Sequence, residues 1–179
     1  MPRLFTGLEI PTDVAERLAG LRGKLTGARW VDPQNYHITL RFVGDVDERA
    51  AADFAAELDA INTDQFDVTL DGLGSFGGRK PRSVWAHVAA QTTLVSLQRA
   101  HERAARAVGF EAESRNFAPH VTLARLRRSN AATVAAYLER HGVLFNATVP
   151  VVRFVLFSSR ASSGGGPYVV EESYRLIEG

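Results

Sequence analysis

Two four-residue strings place a histidine and a threonine two positions apart: His37-Ile38-Thr39-Leu40 and His120-Val121-Thr122-Leu123. In an extended strand, residues i and i+2 face the same side, about 6.5 Å apart. Each histidine thus shares a face with its threonine, while Ile38 and Leu40, or Val121 and Leu123, point into a core. With 5 His and 11 Thr in 179 residues, composition alone gives roughly 0.3 His-x-Thr pairs. Two occur, inside matching strings. A lone strand histidine is ordinarily a packed or solvated residue, and Thr favours strands on packing grounds. A duplicated core explains two apolar strands; it does not explain a polar His-x-Thr face kept in both.

Imidazole is the side chain whose ordinary pKa allows both protonation states near neutrality. Two of them across a cleft suit concerted acid–base catalysis, each proton transfer giving ~10²–10⁴-fold. Threonine hydroxyls can donate to a charged non-bridging oxygen, a contribution of about 3–4 kcal/mol each in a dry site. The set fits in-line hydrolysis of a phosphodiester without a metal. A metal would need three or four ligands, and neither string adds a carboxylate at ligand spacing. Cysteine is absent, and no Ser–His nucleophile arrangement is signalled.

The strings lie on strands of a repeated pattern. Residues 3–10 read as a strand, followed by a helix with Val14, Leu18, Leu21 and Leu25 at helical spacing and a capping-box pattern at Asp13 and Glu16. Residues 36–43 form a second strand. Asp47 then caps a helix carrying Ala51, Phe54, Leu58 and Ile61, and Phe66, Val68 and Leu70 alternate as a half-buried strand. The second half repeats the order: strand 84–90, helix at about 92–108, strand 119–126, a short helix capped by Asn130, and a strong strand 149–157. A Gly-rich turn, 162–167, leads to a final hairpin strand, 168–177. An offset of 83 residues takes His37 to His120, Thr39 to Thr122, Phe54 to Tyr137 and Val68 to Val151. The expected fold is α+β: a bilobal pseudo-symmetric duplication of two mostly antiparallel sheets with outer helices and a central cleft. The repeat halves run roughly 1–76 and 84–160 within a single domain.

Composition bounds the reading. Hydrophobic residues are 45% and charged residues 23% of the chain, which excludes disordered and low-complexity classes. No apolar run approaches the ~20 residues that span a bilayer, and the start lacks a signal-peptide pattern; a cytoplasmic protein is expected. Net charge is only +1, yet the first 90 residues carry −3 and the remainder +4. Of 21 basic residues, 19 are Arg, which suits phosphate recognition, although a composition bias yields the same count.

The strings H-I-T-L and H-V-T-L resemble the two signatures of the two-histidine phosphoesterase superfamily. RLFTGLEIP, YHITLRFVGDV, GSFGGRKPRSVWAHV and FAPHVTLAR resemble its bacterial and archaeal branch, the RNA 2′,3′-cyclic phosphodiesterases or 2′-5′ RNA ligases. That resemblance implies hydrolysis of RNA 2′,3′-cyclic phosphate ends to 2′-phosphomonoesters without a cofactor, with His37 as proton donor and His120 as acceptor. It also implies the reverse 2′-5′ ligation with a 5′-hydroxyl end. The two strings themselves are too alike to assign donor and acceptor. Arg125 matches the family's Arg beyond the second motif. Its parity is opposite to His120 and Thr122, so a regular strand turns it away unless a bulge re-aims it. Arg41 has the parity of His37 and Thr39. Both are candidates for phosphate contact.

Other features carry less. Gly72, Gly74 and Gly77 satisfy G-x-G-x-x-G, but no helix pattern follows, so they read as a loop joining the lobes. Arg79, Lys80 and Arg82 there could track an RNA backbone, and Phe76, Trp85, Tyr36 and Phe42 could stack a base or fill the core. His87, His101 and His141 have no matched partners. A non-catalytic RNA-end-binding module and a cyclic phosphodiesterase of small nucleotides stand as alternatives; no membrane or obligate protein partner is expected.

Overall fold

The computed structural model describes residues 2–159 and 166–179. The first half contains β1 (Arg3–Glu9), α1 (Thr12–Ala19), β2 (Ala28–Trp30), a 3₁₀ turn (Pro33–Asn35), β3 (His37–Asp45), α2 (Glu48–Asp59) and β4 (Phe66–Phe76). The second contains β5 (Ser83–Val88), α3 (Thr92–Ala107), β6 (His120–Leu126), α4 (Ala131–Gly142), β7 (Asn146–Val151), β8 (Arg153–Ser159) and β9 (Tyr168–Arg175). The predicted turn at 162–167 lies outside the described residues except for Gly166 and Pro167.

Local sequence sets several boundaries. Asp47 accepts from Ala50 N and Asn130 from Thr133 N, so equivalent caps start α2 and α4. Each cap satisfies an otherwise orphaned amide and contributes about 1 kcal/mol. The capping box read at Asp13 and Glu16 does not form. There α1 begins at Thr12 behind Pro11, which offers no side-chain cap, and Asp13 lies in the first turn, where its charge suits the dipole. The helix also stops at Ala19, so Leu21 and Leu25 pack from the chain that follows it.

Strands pair in the order β7-β4-β5-β6-β3-β1-β8-β9, with β2 added to β6. All of these strand pairs are antiparallel. The order is a palindrome about the β6–β3 junction: β6 mirrors β3, β5 mirrors β1, β4 mirrors β8. At the junction only Ile38 and Val121, the middle residues of the two motifs, are in register. The repeats exchange their last strands, since β4 pairs with β5 and β8 pairs with β1. Helices are exchanged too: α3 packs on β3 and α2, and α4 on β4. Phe54 and Leu58 of α2, Leu94 and Leu97 of α3, and Val68 and Leu70 of β4 join one buried cluster. Each such side chain contributes about 1.5–3 kcal/mol by leaving water.

The apolar run 149–157 forms two strands rather than one. β7 alternates buried and exposed residues and lies at the sheet edge, where Pro150 costs no ladder bond to an outer neighbour. Only Val152 separates it from β8, which sits near the other end of the strand order, so the sheet curls around its core. Hydrophobicity is continuous across the break, so composition carries no sign of it.

Candidate active site

His37 opens β3, directly after the 3₁₀ turn and Tyr36. Its Nδ1 lies 2.8 Å from the Asn35 carbonyl oxygen. His120 opens β6, and its Nδ1 lies 2.6 Å from the Ala118 carbonyl oxygen. A carbonyl only accepts, so Nδ1–H donates in both rings and the neutral tautomer leaves Nε2 unprotonated. The Thr39 hydroxyl is 3.1 Å from His37 Nε2. His37, Thr39, His120 and Thr122 line one cavity of about 520 Å³, together with Arg125. That volume lies within the range of small-ligand sites.

The rings sit in unlike surroundings. His37 packs among Phe5, Phe157 and Tyr168, with centroids at 5.0, 5.7 and 5.1 Å. Burial pushes its pKa down from 6.5 to about 4; the Asn35 carbonyl opposes this, and the charges of His120 and Arg125 reinforce it. Phe76 stands perpendicular to His120 at 4.9 Å, with Trp85 at 6.0 Å. Burial lowers the His120 pKa as well, against the Ala118 carbonyl.

Two bulges decide which arginine reaches the cavity. In the β1–β3 ladder Thr6 opposes Arg41 and Gly7 opposes Thr39, so Leu40 is the extra residue. In the β5–β6 ladder Val84 opposes Ala124 and Trp85 opposes Thr122, so Leu123 is extra. Each bulge inverts the parity that follows it. Arg125 is thereby turned into the cavity, against strict alternation. The same shift corrects the expectation for Arg41. It is only 6% exposed, its Nε donates to Glu102 Oε2 at 2.5 Å, and it also donates to the Phe42 and Glu111 carbonyls. It lines a separate cavity of about 610 Å³. Phe42, the residue equivalent to Arg125 in the repeat, lines the histidine cavity in its place.

Of the loop candidates, Arg82 lines the histidine cavity and Arg79 and Lys80 do not. The glycines of G-x-G-x-x-G belong mostly to β4 rather than to a loop. Gly74 lies so close under Trp85 that a Cβ would come 2.3 Å from its ring. Gly77 adopts φ +105° in the turn to β5. Phe76 lines the cavity, Trp85 backs it, and Tyr36 is buried in the core. His87 pairs with Asp71, His101 is buried against Thr6, and His141 packs on Tyr137. Arg3 and Arg115 also line the cavity, and sequence reasoning did not single them out. The repeat gave no signal, because their equivalents at the 83-residue offset, Ala86 and Asp32, are not basic. Among the described residues, no group of three His, Cys, Asp or Glu is placed to hold a metal ion.

The sequence pattern of LigT like phosphoesterases matches residues 8–85 and 88–168. The chain belongs to this family. A protein of Aquifex aeolicus named RNA 2′,3′-cyclic phosphodiesterase is 31% identical over 178 residues, covering 96% of this chain and 94% of that protein. One of the same name from Aeropyrum pernix is 40% identical over 117 residues, covering 62% of this chain and 66% of its own length. The crystal structure of Escherichia coli LigT complexed with 3′-AMP superposes with a TM-score of 0.83 at 26% identity, covering 98% of this chain and 99% of that one. The α+β fold is therefore that of the family.

Proposed function

We propose that the protein is a metal-independent RNA 2′,3′-cyclic phosphodiesterase in which His37 and His120 act as general acid and base. The reading rests above all on one observation: both imidazoles are anchored through Nδ1 and line one cavity with two threonines and Arg125. The names of the relatives and the family membership favour the substrate class.

In the proposed reaction His120 Nε2 accepts a proton from water. The water oxygen bonds to phosphorus as the P–O3′ bond breaks, and His37 Nε2–H delivers a proton to the departing 3′ oxygen. The product is a 2′-phosphomonoester, and solvent restores both protonation states. Thr39 and Thr122 hydroxyls and the Arg125 guanidinium donate to the non-bridging oxygens, where charge grows in the transition state. His37 must hold a proton against its burial, and the substrate's anionic phosphate favours that charged form. The same displacement with an RNA 5′-hydroxyl in place of water, its proton taken by His120 and the 3′ oxygen protonated by His37, forms a 2′-5′ linkage. The 179 residues act as a single bilobal unit in this reading.

The test is a short RNA ending in a 2′,3′-cyclic phosphate, incubated with and without EDTA. The expected product is the 2′-phosphate at an unchanged rate. Loss of turnover on chelation would overturn the metal-free mechanism, a 3′-phosphate would overturn the assigned leaving group, and binding without turnover would leave an RNA-end-binding module.

A further inference from the structure

Among the described residues, four arginines line the histidine cavity, namely Arg3, Arg82, Arg115 and Arg125, and no carboxylate does. A cyclic phosphate end group carries one negative charge and two non-bridging oxygens. Thr39, Thr122 and Arg125 already provide donors for those two oxygens. The remaining guanidiniums exceed what one phosphate needs. Among them, Arg115 sits on a segment tied to both β3 and α3.

Arg115 lies in the segment between α3 and β6 and is 75% exposed. Its Nε and Nη2 donate to the Glu113 carboxylate, both at 3.1 Å. That edge is occupied, which leaves Nη1 for a ligand and fixes the plane of the guanidinium. The segment is anchored from below. Glu102 of α3 accepts from Glu113 N at 3.1 Å through Oε1 and from Arg41 Nε through Oε2. Arg41 in turn donates to the Glu111 carbonyl. A buried ion pair gains little net stability over an apolar pair of the same shape. This one pins the backbone on both sides of residue 112, next to an arginine that reaches the site.

Resting on the cyclic phosphodiesterase reading, we infer that Arg115 binds the phosphodiester of the nucleotide preceding the cyclic end, and that Arg41 is its positioning residue through Glu102. Arg115 then selects an RNA chain over a cyclic mononucleotide. Its effect is on substrate binding more than on the chemical step.

The experiment compares two dinucleotides ending in the same 2′,3′-cyclic phosphate, one joined by a charged phosphodiester and one by a neutral methylphosphonate. Wild type is expected to show a KM roughly 10-fold lower for the charged linkage, the size of one charge-assisted hydrogen bond. Arg115→Ala removes most of this preference, and Arg115→Lys restores part of it. Glu102→Gln reduces the preference, and adding it to Arg115→Ala reduces it no further. A full preference in Arg115→Ala overturns the proposal. A full preference in Glu102→Gln that melts like wild type overturns the positioning role; if Glu102→Gln does not fold, Arg41→Lys carries the same test. Wild-type turnover of both dinucleotides without preference overturns the inference alone. Turnover of neither overturns the phosphodiesterase reading and the inference with it.

Discussion

Acid–base catalysis by two imidazoles requires one ring charged and one neutral, and in the free protein both are biased toward neutrality. Burial holds His37 at about 4 and lowers His120 below 6.5. The bell in kcat/KM, which reports the free enzyme, is therefore expected to lie below pH 6.5, with His37 setting its acid limb. The bell in kcat shifts to higher pH, because a bound phosphate anion raises both values. Arg125 opposes a proton on His37, so Arg125→Gln should move the acid limb upward while lowering kcat. A limb that stays in place would separate Arg125 from His37 electrostatically. His37→Ala and His120→Ala should each lower kcat by at least about 10² without changing the melting temperature by more than a few degrees. Rates within threefold of wild type in either variant would remove the pair from the mechanism.

Elements supply these residues through departures from regularity, and regularity is what a sequence displays. The motif strands, the equivalent caps at Asp47 and Asn130 and the pairing of His with Thr were legible because period, capping chemistry and repetition all leave marks in residue type. The bulges at Leu40 and Leu123 leave none. Leucine is an ordinary strand residue, and the extra residue is set by what the neighbouring strand presents. Strict alternation therefore misplaces Arg41, and Arg115 sits on no periodic element that could mark it. The glycine at position 74 shows the same point, since its reason is the Trp85 ring from the next strand. Gly74→Ala should displace that indole, lower the melting temperature and lower kcat through Phe76 and His120. Trp85→Phe in the same chain should recover part of both. An unchanged melting temperature in Gly74→Ala would mean that the ring moves aside freely.

For the whole molecule, the exchange of strands and helices between repeats makes each lobe depend on the other. Neither β1 nor β5 can pair fully without a strand from the opposite repeat. The seam contains His101, fully buried on α3, with Nδ1 2.8 Å from the Thr6 hydroxyl of β1 and its ring 4.5 Å from Phe154 of β8. Burial lowers its pKa to about 3. The unfolded chain takes up a proton there near pH 6.5, and the folded chain does not until near 3. The unfolded state thus binds more protons across that window, so stability is present above pH 6.5 and is lost as pH falls toward 3. The loss is at most about 1.4 kcal/mol per pH unit. His101→Phe removes this titration while keeping the ring volume against Phe154. Melting temperatures measured from pH 7 to pH 4 should fall less steeply in His101→Phe than in wild type, whatever their offset at pH 7. Parallel curves would show that acid opens the molecule elsewhere than at this seam.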